Sequence, residues 1–137
     1  FCRSSVLQPS SENLVLSTTT HTLTLLNRYP YSNGHIMVAP RAHTANLADL
    51  NGPLATEMLE MAAKCRKALE QALCCQGLNL GMNLGKAAGA GIPDHLHLHI
   101  VPRWVGDVNF MTTIADTRVM PEALAATWRT LHKALQS

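Results

Sequence analysis

The sequence predicts an α+β fold, in which a largely antiparallel sheet of about five strands carries one long helix and a second, C-terminal helix. Short runs that alternate apolar and polar residues between turn sequences are typical of paired antiparallel strands. Two longer stretches instead repeat apolar residues at helical spacing. The 137 residues are enough to bury a core without disulfide bonds. We expect a single domain over residues 1–137, with its core over residues 13–107 and a C-terminal extension with a helix over residues 108–137.

The predicted strands follow one another through short connections. Residues 13–17 and 22–27 are expected to form a hairpin, because both are short runs rich in apolar residues and a polar Thr-Thr-Thr-His turn separates them. The pair Asn33-Gly34 supplies the positive φ angles of a tight turn, so a third strand is predicted over residues 35–39, closed by Pro40. Two further strands are predicted over residues 78–83 and 95–101.

Both predicted helices begin beside a proline, which suits a first helical turn. Asn51, Gly52 and Pro53 mark the start of the long helix, which extends to Leu73, and Pro121 opens the final one. The apolar stripe of the long helix is either a core face or a surface for a partner. Its residues are Leu54, Met58, Met61, Ala62, Cys65, Leu69 and Leu73, and those of the final helix are Leu124, Trp128, Leu131 and Leu135.

Composition and charge argue against several classes of partner. The chain is 47% hydrophobic and 15% charged with a net charge of +2, which gives no electrostatic case for binding nucleic acid or a membrane surface. No apolar run approaches the roughly 20 residues of a membrane span, and we expect no signal peptide. The cysteines Cys2, Cys65, Cys74 and Cys75 do not form the pattern of a disulfide framework. We therefore expect reduced thiols and a cytoplasmic location.

Three histidines at alternate positions are the most informative feature of the chain. His95, His97 and His99 alternate with apolar residues, so on a strand all three imidazoles would lie on one face. A glycine-rich segment, residues 81–93, comes directly before them, and glycines allow backbone N–H groups to approach an anion closely. A row of imidazoles beside such a loop indicates phosphate-ester chemistry.

This histidine row has three interpretations. It could be the satisfied polar face of an edge strand, or two of its histidines could share a metal ion with a third ligand from elsewhere. Against a metal site, the nearby acidic residues are few, namely Asp94 and Asp107. The favoured interpretation is nucleophilic catalysis on phosphorus, because a neutral imidazole is nucleophilic and also leaves readily from a phosphoramidate. We predict neither a metal ion nor a cofactor at this site.

The run His-Leu-His-Leu-His-Ile-Val of residues 95–101 resembles the signature of the histidine triad (HIT) family. The block Leu-Asn-Arg-Tyr-Pro-Tyr-Ser-Asn-Gly-His-Ile-Met-Val-Ala-Pro of residues 26–40 resembles a second block of that family. The tail of residues 101–110 is similar to the branch of diadenosine polyphosphate hydrolases and phosphorylases. The resemblance implies a HIT-like antiparallel sheet and a homodimer, to which the apolar face of the long helix could contribute.

The resemblance also implies roles for the histidines. His97 corresponds to the nucleophile, which attacks an α-phosphate and forms a nucleotidyl-histidine intermediate that water or inorganic phosphate then releases. His95 and His99 are expected to orient His97 and to bind phosphate oxygens, and His35 to support the triad. The implied substrate is an AMP-containing dinucleoside polyphosphate. A phosphorylase, a nucleotide-binding regulatory protein with incidental activity and a metal-dependent hydrolase remain as alternatives.

Further binding residues follow from the same resemblance. Asn27 corresponds to a residue that binds the ribose, and Asn83 to an amide that contacts the phosphates. Family members often carry a Gln-Ser or Gln-Thr pair where this chain has Gly91 and Ile92, so backbone N–H groups from Gly89 to Gly91 are expected to replace those side chains. Some members bind structural zinc through two N-terminal cysteines and a histidine; with only Cys2 and His43 present, no complete zinc site is predicted.

Overall fold

The computed structural model describes residues 8–107 and 121–136. It contains a five-stranded antiparallel sheet and two α-helices, which confirms the predicted α+β class. The strands lie in the order β1-β2-β3-β5-β4, and every neighbouring pair is antiparallel. Their bounds are β1 Val15–Thr18, β2 Thr22–Leu26, β3 Ile36–Pro40, β4 Gly77–Gly81 and β5 Leu98–Arg103.

Helix α1, Gly52–Leu73, covers one face of this sheet. The side chain of Asn51 accepts a hydrogen bond from the backbone N–H of Leu54 at 3.2 Å, which caps the first turn as the sequence predicts. The apolar stripe of α1 is buried in the core of the same subunit. The stripe is therefore a core face, and the expectation that it contributes to a dimer interface is wrong because those side chains are already covered.

Helix α2, Pro121–Leu135, packs against α1 and β1. Leu131 is completely buried, and the indole N–H of Trp128 donates to the carbonyl of Val15 at 2.7 Å. These contacts attach the C-terminal helix to the sheet edge formed by β1. Neither α1 nor α2, the helices of the described ranges, is both long and apolar enough to cross a membrane.

The two faces of the sheet have different functions. One face carries Ile36, Val38, Leu98 and Ile100 into the core beneath the helices. On the other face, the register aligns Leu25 of β2 with Met37 of β3, and Met37 with His99 of β5. Because side chains alternate along a strand, these three residues form a row across three strands on the side away from α1. That row is the floor of a cleft.

Strands β4 and β5 differ from their predicted bounds for one shared reason. We predicted β5 over residues 95–101, but the strand begins at Leu98. The segment before it turns away to contact the chain after β3, where the N–H of Leu96 donates to the carbonyl of Thr44 at 2.7 Å. The pairing of β4 therefore stops where Gly81 lies opposite His99, so β4 ends before the predicted Asn83.

Some predictions lie outside the described residues or stay untested. Cys2 and residues 108–110 of the resembling tail are outside the described ranges. The assignment of residues 1–137 to a single domain stays a prediction. The turn at Asn33-Gly34 is present, with Gly34 at φ 83°, and it delivers the chain into β3 directly after His35.

Candidate active site

A cleft of about 570 Å³ lies on the helix-free face of the sheet. Its floor is the row of Leu25, Met37 and His99, and His97 lies beside them. Its walls come from the end of β2, the turn before β3 and the glycine-rich loop before the triad. The remaining lining residues are Asn13, Leu14, Leu26, Asn27, Arg28, Tyr29, Tyr31, Gly89, Gly91 and Ile92.

The position of His97 is fixed by a backbone hydrogen bond. Its Nδ1 lies 2.8 Å from the carbonyl oxygen of His95. A carbonyl only accepts, so Nδ1 of His97 must carry the proton and donate it. In the neutral ring the lone pair is then on Nε2, the nitrogen on the far side from that carbonyl. This tautomer gives a side chain of the cleft a nucleophilic nitrogen without any need for deprotonation.

His95 lies behind the cleft and is 3% exposed. Its Nε2 lies 2.8 Å from the carbonyl of Pro40, to which it donates, and its ring meets that of His43 edge to face at a centroid distance of 5.3 Å. Burial lowers the pKa of His95, although the bond to Pro40 opposes this shift. The ring of His95 does not line the cleft. Its main contribution is its own carbonyl, which orients His97.

His35 and His99 form a hydrogen-bonded pair under the cleft. Nδ1 of His35 accepts from the backbone N–H of Tyr31 at 3.1 Å, so the proton of neutral His35 is on Nε2. That Nε2 lies 2.9 Å from Nδ1 of His99 and donates to it. Nε2 of His99 therefore carries the remaining proton and is a donor. The backbone N–H of Tyr31, together with the side-chain amide of Asn27, thus sets the tautomers of two histidines in series.

The electrostatic environment keeps these rings neutral. Burial, followed by the charges of His99 and His97 when protonated, lowers the pKa of His35 to about 4. Burial also lowers the pKa of His99, and His97 adds to that effect. Neutral rings are needed for the donor and acceptor pattern above, because a protonated His35 would turn a second N–H toward the N–H of Tyr31.

Asn27 lies at the wall of the cleft, where a ribose-binding role was predicted. Its Nδ2 is 3.3 Å from Nδ1 of His35, and its Oδ1 accepts from the N–H of Tyr29 at 3.0 Å. The second bond closes a local turn in which the side chain of Asn27 holds the following backbone. Asn27 therefore joins the cleft wall to the His35–His99 pair.

The glycine-rich loop forms the opposite wall. Gly89 and Gly91 line the cleft together with Ile92, as expected for a loop that offers backbone groups to a phosphate. Asn83 does not line the cleft; its Nδ2 donates to the carbonyl of Gly89 at 3.4 Å. Asn83 therefore supports the loop in this structure, and direct contact with phosphate stays a prediction.

Several cleft residues are not predicted from the sequence. Tyr31 lies over the His35–His99 pair, with ring centroids 4.7 Å from His35 and 5.9 Å from His99. The sequence marks it only as part of the block of residues 26–40 that resembles the family. Met37 and Leu25 were assigned to strands without a site role. The available signal was register: residues of β2 and β3 that lie opposite one another must share a face with a histidine of β5.

Other reactive groups do not offer a competing centre. No group of three or more His, Cys, Asp or Glu side chains in residues 8–107 and 121–136 is arranged to hold a metal ion. Cys65 is completely buried in the core, and burial raises the pKa of its thiol to about 12, which makes it a poor nucleophile. A second cavity of about 430 Å³ lies between β1 and the end of α2, away from the triad.

Comparison with known proteins agrees with the fold and with the histidine pattern. Residues 8–105 match the family model of the HIT domain. A curated relative from Mycobacterium tuberculosis, named AP-4-A phosphorylase, is 38% identical over 120 residues, which cover 88% of this chain and 62% of the relative. The chain thus spans about three fifths of that relative's length.

Two further proteins extend the comparison. A bis(5'-nucleosyl)-tetraphosphatase (asymmetrical) from Schizosaccharomyces pombe is 30% identical over 82 residues, or 60% of this chain and 44% of that protein. The crystal structure of a zinc-bound histidine triad family protein from Mycobacterium smegmatis is 28% identical, with a TM-score of 0.73 and coverage of 94% of this chain and 86% of that one. From the family match over residues 8–105 and the hydrogen-bonded triad, we conclude that this chain belongs to the HIT domain family.

Proposed function

We propose that this chain is an enzyme that transfers a nucleotidyl group from a dinucleoside polyphosphate, with His97 as the nucleophile. The observation that carries the proposal is the hydrogen bond from Nδ1 of His97 to the carbonyl of His95, which puts the lone pair of a cleft imidazole on Nε2. The names of two relatives, a phosphorylase of AP-4-A and a nucleosyl tetraphosphatase, support this class of substrate. We further propose that the protein acts in the cytoplasm, in keeping with its free cysteines Cys65, Cys74 and Cys75.

In the first step, Nε2 of His97 attacks the α-phosphorus and forms a P–N bond. The bond between that phosphorus and the bridging oxygen breaks, and the bridging oxygen leaves with its electron pair as part of a nucleoside polyphosphate. His97 keeps its Nδ1 proton throughout, so the intermediate carries a positively charged ring whose N–H still donates to the carbonyl of His95. That carbonyl stabilises the charge where it develops.

His99 contributes a donor to the same step. Because Nδ1 of His99 accepts from His35, its Nε2–H is available to a non-bridging oxygen of the α-phosphate. Backbone N–H groups of Gly89 and Gly91 approach from the opposite wall. Both kinds of donor stabilise the negative charge of the phosphate through hydrogen bonds. Neither adds a positive charge to the site before the substrate binds.

In the second step an acceptor oxygen attacks the phosphorus, the P–N bond breaks with its electron pair returning to Nε2, and the ring becomes neutral again, while an acceptor water releases a proton to solvent. Water as acceptor gives the mononucleotide, whereas inorganic phosphate gives the nucleoside diphosphate. The name of the M. tuberculosis relative favours phosphate, and that of the S. pombe relative describes a hydrolase. Diadenosine tetraphosphate separates the two: ATP with ADP in phosphate buffer indicates phosphorolysis, and ATP with AMP indicates hydrolysis.

The covalent intermediate is the direct test of the proposal. Wild-type protein mixed with diadenosine tetraphosphate and quenched in alkali, where phosphoramidates survive, should carry an adenylyl group on the peptide that contains His97. Mass spectrometry of the digest locates the group. Turnover without a labelled peptide, or a label on another residue, contradicts the proposal. AMP binding without turnover on any dinucleoside polyphosphate would indicate a regulatory nucleotide-binding protein instead.

We also propose that the protein is a homodimer. The support in the structure is the outer edge of β4, which pairs only with β5 in the described parts of the chain and carries an exposed Leu80. An edge strand with unpaired backbone groups is a template for pairing with a second copy. A two-fold axis beside β4 would join the two sheets edge to edge.

A further inference from the structure

We propose that Arg28 and Tyr29 form a distal subsite, which recognises the departing half of the dinucleoside polyphosphate. In this arrangement Arg28 binds the phosphates beyond the scissile bond and Tyr29 stacks on the second base. The inference rests on the proposed function, since it specifies which part of the substrate these two residues contact. The distal subsite contacts the leaving group, whereas the histidines hold the α-phosphate.

The position of the two residues supports this assignment. Both line the same cleft as His97 and His99. They follow Asn27 directly, and the bond from the N–H of Tyr29 to the side chain of Asn27 at 3.0 Å closes the local turn. The backbone on either side of Arg28 is therefore held at the cleft wall, and Arg28 itself lines the cleft.

The charge pattern supports it as well. Arg28 is the one lysine or arginine of the described residues that lines the cleft, and no Asp or Glu lines it there. Other arginines are engaged elsewhere: Arg103 pairs with Asp107 at 3.1 Å, and Arg41 donates to the carbonyl of Thr19 at 3.0 Å. No ion pair to Arg28 occurs within residues 8–107 and 121–136. A cation without a carboxylate partner in an acid-free cleft suits a polyanion.

The chemistry of the leaving group completes the argument. The departing phosphates carry more charge than the α-phosphate and gain charge as the P–O bond breaks. The neutral histidines bind one phosphate but supply no cation for the rest. A guanidinium binds phosphate oxygens in a bidentate manner and keeps its charge at any working pH. Tyr29 is 81% exposed, so its ring has a free face that can stack on a base.

Two substrates that differ only in the leaving group test the role of Arg28. The leaving group of diadenosine tetraphosphate is ATP, a polyphosphate. The leaving group of adenosine 5'-(4-nitrophenyl phosphate) is 4-nitrophenolate, which contains no phosphate and carries a single negative charge. We expect Arg28→Gln to lower kcat/KM for diadenosine tetraphosphate by about 10- to 100-fold, the usual effect of losing hydrogen bonds to a charged group. The nitrophenyl ester should react at its wild-type rate. Arg28→Lys keeps the charge without the bidentate geometry, so its kcat/KM for diadenosine tetraphosphate should lie between those of the wild type and Arg28→Gln.

Lys86 provides the matched control. It has the same charge as Arg28 and lies on the glycine-rich loop, but it does not line the cleft and is exposed. Lys86→Gln should leave both rates unchanged. If Lys86→Gln lowers the rate with diadenosine tetraphosphate and Arg28→Gln does not, the assignment of Arg28 is wrong.

The role of Tyr29 is tested with a substrate that lacks the second nucleoside. Tyr29→Ala should reduce the preference for diadenosine tetraphosphate over adenosine tetraphosphate by about 2- to 10-fold, and Tyr29→Phe should preserve it because a phenyl ring still stacks. Equal preferences in all three proteins would overturn the stacking role. A loss in Tyr29→Phe equal to that in Tyr29→Ala would overturn it too, since the hydroxyl would then be the important group.

Failure of this inference and failure of the proposed function give different results. If wild-type protein cleaves neither diadenosine tetraphosphate nor the nitrophenyl ester, the proposed function is wrong and the distal subsite with it. If wild-type protein cleaves both and Arg28→Gln lowers neither rate, only the distal subsite is wrong. If Arg28→Gln lowers both rates equally while its melting temperature is unchanged, Arg28 acts at the reacting phosphorus and the distal subsite is again wrong.

Discussion

Four histidines at or behind the cleft have the same side chain but differ in the hydrogen-bond partners of their ring nitrogens. His97 donates to a backbone carbonyl, and His99 accepts from His35. His35 in turn accepts from a backbone N–H, and His95 donates to the carbonyl of Pro40. These partners determine which nitrogen holds the lone pair. The role of each histidine is thus determined by its own hydrogen bonds, and a sequence motif does not specify these.

The assignment of His97 is tested by its removal. His97→Asn keeps a polar side chain of similar size beside the carbonyl of His95 but supplies no nucleophilic nitrogen. We expect kcat on diadenosine tetraphosphate to fall by at least about 10³-fold, while AMP binding measured by calorimetry is retained. His21→Gln serves as control, because His21 is an exposed residue of the β1–β2 turn. Near-wild-type release of nucleotide by His97→Asn would contradict a covalent mechanism at this position.

The pKa of His35 predicts how stability depends on pH. It is about 4 in the folded protein and 6.5 in a model peptide, so between these values the unfolded chain binds more protons than the folded one. The contribution of His35 to the free energy of unfolding should therefore be fully present above about pH 6.5. It should decrease as the pH falls toward 4, by up to about 3 kcal/mol. The lowered pKa values of His95 and His99 act in the same direction.

Urea denaturation between pH 7.5 and pH 4.5 measures this decrease. His35→Asn should be less stable at neutral pH and should show a shallower pH dependence than wild type. Proton NMR provides a measurement on the unmodified protein: the His35 ring resonances should titrate well below the usual range. A titration midpoint near 6.5 would contradict the neutral, buried state of His35.

At the scale of elements, the sequence predicted the type and order of the β-strands and α-helices in the described part of the chain, but not how the triad meets the sheet. Alternation places His95, His97 and His99 on one strand face, yet β5 begins only at Leu98. The first two histidines are held by tertiary contacts, through the N–H of Leu96 and the ring of His95, to residues from Pro40 to Thr44. Such contacts join residues about 50 positions apart, and local periodicity carries no information about them.

The turn before His35 does not readily accept a side chain at Gly34. Gly34 has φ 83°, and a Cβ at this position would contact Leu73 and lie 3.0 Å from Leu69. Gly34→Ala should reduce the free energy of unfolding by about 1–3 kcal/mol, from the positive φ angle and the forced movement of α1 side chains. Activity should also fall, because any shift of the turn moves His35 and, through it, His99.

Gly52→Ala is the matched control for this substitution. Gly52 is the first residue of α1, and a Cβ there meets no atom within 4 Å. Its replacement should leave the free energy of unfolding unchanged or raise it by a few tenths of a kcal/mol, because alanine loses less backbone entropy on folding. Equal effects of Gly34→Ala and Gly52→Ala in urea denaturation would show that the turn is not constrained as described.

At the scale of the whole molecule, one face of the sheet contributes to stability and the other carries the candidate active site. Its helix-covered face holds the core, and its other face carries the row of Leu25, Met37 and His99. Strand order decides which residues form this row, because β5 lies beside β3 although about 60 residues separate them in the chain. The resemblance to a family could predict the histidines, but Tyr31 and Met37 enter the cleft only through that strand order.

The two edges of the sheet differ in how well they are covered, and this difference predicts where a second copy binds. At the β1 edge, Ser10 bridges to Val15, and Trp128 and His132 of α2 donate to the carbonyls of Val15 and Leu16. At the β4 edge, Leu80 is 53% exposed and no further strand of the described residues pairs with it. Pairing of two β4 strands would cover this edge.

Light scattering after size-exclusion chromatography tests the predicted dimer. Wild type should have the mass of a dimer at micromolar concentration, and Leu80→Lys should have that of a monomer, because an edge lysine opposes strand pairing and two copies would face each other across the axis. Val105→Lys is the control: Val105 is more exposed, at 88%, but lies outside β4. A monomeric wild type, or a Leu80→Lys variant that still forms the dimer, would place the second copy elsewhere or nowhere.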